Sequence, residues 1–395
     1  MLARYREVLR EPHVARLLFT ALVGRLPQGM SGLAILLLLT PSVGYAKAGV
    51  ASGLSVATAG VANIVLARAV DGFGVRTTLL PAATAYAVFA IALADVSNRG
   101  YAPALGLCGV LGLASAPISS VSRGMWPSLL GEERAQVLYG LEATAQELVF
   151  IVGPAGVALI AGLAGPRAAI VTSGVLGLLG VIGFVTAPTF RETTRSRHDF
   201  EARASLLRTR VLTYSVVGVA LTIGFSMTEI ATVAFVGGRH ASAASGAVLA
   251  IWSVGSLIGG LAFGAGAAQV TDRGLALWVA IAGAGLWIAT AAPGKVGLAV
   301  ILFGSGAAIA PALARLYTRL GAVAPSASAT ESFGWLAVGL QVGSSLGAAL
   351  GGLSVEGIGA RWTFALSGTA ALSGVLVVRV ASYGVERQVA DQDAP

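Results

Sequence analysis

GPAGVALIAGLAGPRAAIVTSG at residues 153–174 and GAALGGLSVEGIGARWTFALSG at residues 347–368 are equal in length and start 194 positions apart. In that register Gly153 falls on Gly347, Arg167 on Arg361, and Ser173 and Gly174 on Ser367 and Gly368. Pro117 likewise meets Pro311 and Gly140 meets Gly334, while a shift of 197 brings Met30, Ser31 and Ala34 onto Met227, Thr228 and Ala231 and Gly49 onto Gly246. The change of offset fits a short insertion. An Ala- and Gly-rich chain matches itself by composition, so the rarer Pro, Arg and Met coincidences carry the weight. They indicate a duplication, and a membrane protein built of two parallel repeats holds its substrate site between them.

Composition narrows the class. With 56% hydrophobic residues, 11% charged and 53 glycines among 395, the chain has too little charge to cover a soluble domain. It reads as an all-α polytopic membrane protein, because open strand edges in lipid would leave backbone groups unsatisfied. Cys108 is the single cysteine, so no internal disulfide forms. The formal charge of +8 comes from residues scattered between apolar runs, with no basic helix face or aromatic platform, so nucleic acid is not an expected partner.

A span needs roughly 20 apolar residues to cross about 30 Å of hydrocarbon. Twelve segments qualify: 14–39, 45–67, 77–95, 101–122, 135–163, 168–188, 211–236, 241–267, 274–292, 296–317, 330–353 and 362–382. Of the 26 Lys and Arg, 19 lie on the side of the tails, the even-numbered loops and the central linker. Six (Lys47, Arg99, Arg167, Arg239, Lys295, Arg361) lie in the odd loops, and Arg25 lies within a span. The positive-inside rule then places both termini in the cytoplasm. Arg4, Arg6 and Arg10 imitate the basic end of a signal peptide, but the run that follows is long and interrupted by Arg25, so it reads as an uncleaved first span. Residues 1–13 form an N-terminal tail, 14–190 a first six-helix bundle, 191–210 a cytoplasmic linker with six arginines, 211–382 a second bundle and 383–395 a C-terminal tail. The linker suits the anionic leaflet.

Between spans two and three lies LARAVDGFGVR at 66–76. Twelve spans in two parallel sets of six, joined by a basic linker, resemble the major facilitator superfamily, and this string is similar to its cytoplasmic loop signature. Asp71, Gly74 and Arg76 fit that signature, whereas Ala67, Ala69, Gly72 and Val75 depart from it. Physically, glycine permits a tight turn, and Asp71 and Arg76 can pair with the other half at the inner face. The resemblance implies that this loop latches the outward-open state. The copy after span eight retains Gly260 and Gly264 but lacks the Asp, so the latch is expected to be one-sided. GPAG at 153–156 is similar to a glycine-proline element of export proteins in the family, although packing and a proline bend explain Gly153 and Pro154 equally.

An ionisable side chain deep in a span costs several kcal/mol unless paired or hydrated, which makes it a functional candidate. Four qualify: Arg25, Glu142, Glu147 and Glu229. Arg25 and Glu147 both lie about 16 to 18 Å from the cytoplasmic ends of their spans and are expected to meet, as a structural clasp or as a gated pair. Glu142 turns about 140° away from Glu147 and lies near the inner face, where Arg123 is its expected partner. Glu229 has no basic residue at similar depth in its half, which makes it the candidate for proton coupling, with a rim position beside Arg239 as the alternative. Spans one, four, seven and ten line the central cavity in the family that the chain resembles, which supports Glu229. Thr330 and Glu331 suit a helix start, and the resemblance adds Glu331 to an inner ionic gate. Trp252 and Trp335 suit either aromatic substrate contact or anchoring at the membrane interface.

No GxxxxGK[ST] loop occurs, which argues against ATP hydrolysis, and His13, His198 and His240 fall outside the spans, with no HExxH motif. The expectation is a non-enzymatic secondary active transporter in the cytoplasmic membrane, working by alternating access and exporting a partly apolar compound against protons. A nutrient-uptake symporter, or a transport-inactive sensor on the same fold, is the alternative. A small-molecule substrate, protons and membrane lipid are the expected partners of a functional monomer, with no cofactor and no metal.

Overall fold

The computed structural model describes residues 11, 13–97, 99–130, 132–187, 209–237, 244–263, 271–323 and 329–392. Thirteen α-helices account for nearly all of them: α1 Val14–Phe73, α2 Val75–Val96, α3 Tyr101–Leu113, α4 Ile118–Leu130, α5 Glu132–Ala164, α6 Pro166–Val185, α7 Thr209–Gly237, α8 Ala244–Phe263, α9 Asp272–Ile288, α10 Lys295–Gly306, α11 Ile309–Val323, α12 Ala329–Ile358 and α13 Ala360–Gln392. Ten segments are long and apolar enough to cross a membrane. The first of these covers 57 residues, about 85 Å of helix, which is far more than one crossing needs. Gly44, at φ 81° and ψ 173°, breaks it into two spans. Leu148–Ala164, the apolar part of α5, is a shorter apolar helix. With the first segment divided and α5 included, the helices accord with twelve spans.

Helix ends follow local chemistry. Span four is α3 plus α4, interrupted at Ser115–Pro117, and span ten is α10 plus α11, interrupted by a turn at Ala307 and Ala308. Gly165 (φ 87°) precedes α6, and Gly359 (φ 85°) precedes α13 at the matching position of the repeat. Both hold a left-handed conformation that side chains resist, and Pro166 then starts α6 where its missing N–H costs nothing.

By packing, the chain forms two compact units. One comprises Met1–His198 with Arg239–Ala250, the other Asp199–Gly238 with Ile251–Pro395. In the first, α1 packs against α3, α5 and α6, and α2 packs against α6. In the second, α7 packs against α12 and α13, and α9 packs against α13. These are the same neighbours in repeat terms, and matched small residues make them possible. A Cβ on Gly153 would come within 2.6 Å of the Gly29 backbone, and one on Gly347 within 2.5 Å of Ile223. Gly174 faces Ala87 as Gly368 faces Gly283, and Gly112 faces Ser55 as Gly306 faces Trp252. Close backbone approach of this kind is how helices associate where lipid removes the hydrophobic driving force.

Candidate functional site

Arg25 is buried in the first unit, with 2% of its surface exposed. Its Nη2 donates to Ser122 Oγ on α4 at 2.6 Å, and that hydroxyl donates in turn to the Ser119 carbonyl at 3.2 Å. Ser122 is a partner that the sequence reading missed, because one serine in an apolar run carries no mark of depth or direction. The expected partner Glu147 lies on α5, and its side chain falls outside the described residues. The backbone register puts the two positions at one level along their helices. Gly29, one turn beyond Arg25, lies against Val149 and Gly153, so position 147 is level with position 25. Gly153 and Pro154 are buried at that crossing, which gives the GPAG element a packing role. Nearby, a cavity of about 20 Å³ is bordered by Gln28, Tyr86 and Ser115, enough room for one water.

In the second unit Glu229 sits half-buried on α7 between Thr228 and Ile230, both buried. Among the described residues it makes no hydrogen bond or ion pair. One turn earlier, Phe225 meets the Trp252 ring edge-on, with centroids 5.8 Å apart and planes at 82°. Trp252 is therefore a core residue of this unit, while Trp335 is exposed. Ser226 and Ser344 share a hydrogen bond at 2.7 Å between α7 and α12.

At the ends where α1 meets α2 and where α9 begins, here called the linker side, the structure adds to the sequence expectation in two ways. The stretch 66–76 is not an extended loop: α1 continues through Asp71 to Phe73, and Gly74 alone, at φ 91° and ψ 162°, joins it to α2. The helix propagates through Arg68, Asp71 and Gly72 until Gly74, whose positive φ ends it. Arg76 is exposed in the first turn of α2. The side chains of Asp71, Arg123, Glu142 and Glu331 lie outside the described residues, as does Gly264 entirely. Gly260 is half-buried against Ala310.

An acid that the sequence reading did not single out stands at the start of span nine. Asp272 opens α9 and binds Arg319 Nε at 2.7 Å and Tyr214 Oη at 2.8 Å through the same oxygen. Thr271 caps this helix by accepting from the Gly274 N–H at 3.1 Å. A Thr-Asp pair before an apolar run is a helix-start signature, and it was the available signal. At the opposite end, Arg361 donates to the carbonyls of Thr290 at 2.7 Å and Ala292 at 3.1 Å, and lies 5.2 Å from the Phe235 ring centre.

Two internally matched helical units of this kind define a multi-pass transporter class. Consistent with it, residues 17–320 match the model of the Major Facilitator Superfamily. The match covers well over half of the 395 residues, and the chain belongs to that superfamily. It is accordingly a membrane transporter of the secondary type, acting on small molecules. A search of curated proteins returns no match.

Proposed function

We propose that the protein exports a small, partly apolar compound from the cytoplasm in exchange for protons, by alternating access, with both termini cytoplasmic and the monomer as the working unit. The observation that carries this reading is Glu229: a half-buried carboxyl within an apolar span, about two turns from its far end, without a protein partner among the described residues. A group so costly to keep in hydrocarbon persists where it serves transport. Within about one turn of it on α7 stand Phe225, Ser226 and Thr228, with Ser226 bonded to Ser344 of α12, and none of these carries the amide or charge that a sugar would need. Arg25, held by Ser122 and level with position 147, serves as an internal clasp of the first unit. Asp71, Gly74, Arg76, Arg123, Glu142 and Glu331 form the cytoplasmic gate.

Proteoliposomes under an imposed pH gradient test this. With an acid interior, a transported compound is expected to accumulate inside as protons leave, and an uncoupler should abolish the effect. Accumulation only with an alkaline interior would establish symport instead. Movement that ignores the gradient would remove proton coupling, and no movement of any compound would favour a sensor.

A further inference from the structure

We propose that the linker-side corner of spans nine and ten binds the headgroup of an anionic phospholipid through Arg273 and Arg315. Three arginines meet the start of α9 and the end of α11, and their charges are unequally matched. Asp272 is engaged by Arg319 at 2.7 Å and by the Tyr214 hydroxyl. Arg315 is half-buried, with its guanidinium 5.4 Å from the Trp278 ring centre. Its hydrogen bond within the protein is a long one, 3.4 Å to the Pro311 carbonyl. Its Nε also lies 3.7 Å from where a Cβ on Gly274 would stand, in the first turn of α9, where the helix dipole repels a cation. Arg273, one residue earlier, is exposed and makes no hydrogen bond or ion pair among the described residues. Two guanidinium groups with open donors at one helix end suit a phosphate diester.

The surface beyond them favours lipid over a free anion. Arg273, Leu277 and Ile281 follow at intervals of four on α9, and the two apolar members are 57% and 41% exposed. Charge at the rim with an open apolar strip below it matches a headgroup and its acyl chain, and Trp278 marks the interfacial level. The inference rests on the proposed orientation, which puts this corner in the anionic cytoplasmic leaflet.

The test uses the full chain in nanodiscs of mixed phosphatidylglycerol and phosphatidylcholine, with retained lipids counted by native mass spectrometry. Nanodiscs have no sidedness, so failure here counts against the corner and not against orientation or transport. Wild type is expected to retain phosphatidylglycerol preferentially, and R273Q/R315Q to lower that preference roughly tenfold. R273K/R315K should keep most of the preference, and R379Q, which removes an exposed charge from α13, should keep it all. An unchanged preference in R273Q/R315Q, an equal loss in R379Q, or displacement of the lipid by inorganic phosphate alone would overturn the proposal. Should R273Q/R315Q fail to fold, equal retention of both lipids by wild type overturns it independently.

Discussion

The two halves of the repeat share a backbone plan and divide the chemistry between them. Where the first unit has Arg25, the second has Thr222, whose hydroxyl returns to the Gly218 carbonyl of its own helix at 2.9 Å. Where the first has Ser122 to receive that arginine, the second has buried Leu316. In exchange, Glu229 occupies the position that Gly32 holds in the first unit. Packing positions have been kept in pairs, and the ionisable positions deep in the spans have diverged. Helix contacts must hold in both halves for the protein to fold, whereas a charge in lipid is tolerated only where it does something.

The pairing of packing positions breaks most visibly at its closest contacts. Gly153→Leu and Gly347→Leu should each drive a side chain into the neighbouring backbone and cost more than about 4 kcal/mol, seen as loss of monodisperse protein in size-exclusion chromatography. If one tolerates leucine and the other does not, the units are not packed alike.

Divergence of the charges predicts unequal losses at matched sites. Arg25→Met removes a buried, charge-assisted hydrogen bond and should cost about 1.5–3 kcal/mol, while Thr222→Val, its counterpart, should cost no more than about 1.5 kcal/mol. Thermal unfolding in detergent compares them directly. A similar contrast holds at the other end. Arg361→Ala should lose about 1.5–3 kcal/mol, because two carbonyls and the Phe235 face lose their partner. Arg167→Ala, at an exposed position, should stay within about 0.5 kcal/mol. The smallest expected effect is Tyr214→Phe, about 0.5–1.5 kcal/mol, since Asp272 keeps Arg319 when the phenol leaves.

Much of this plan could be read from the chain because lipid makes the rules severe. Apolar length fixes the spans, and the 194-residue offset that aligns Gly153 with Gly347 also aligns the crossings where those glycines are needed. Charge in a span singles out Arg25 and Glu229 without any structure. What escaped was set by three-dimensional pairing. Ser122 is one hydroxyl among many in the spans, and only the approach of α4 to α1 makes it the partner of Arg25. Asp272 carries no mark of its pairing in the sequence, since Arg319 and Tyr214 stand 47 and 58 positions away. The stretch at 66–76 has the glycines of a turn but not a mark of which one turns: the helix passes Gly72 and only Gly74 stops it.

The unequal distribution of charge is what the transport reading depends on, and Glu229→Gln probes it with little change of shape. In proteoliposomes loaded with a pH-sensitive dye, wild type should move protons across the bilayer when a transported compound is added. Glu229→Gln should bind and exchange that compound with the proton movement gone, and Gly32→Ala, at the matching site of the first unit, should leave the coupling in place. Proton flux in Glu229→Gln equal to that of wild type would contradict the account.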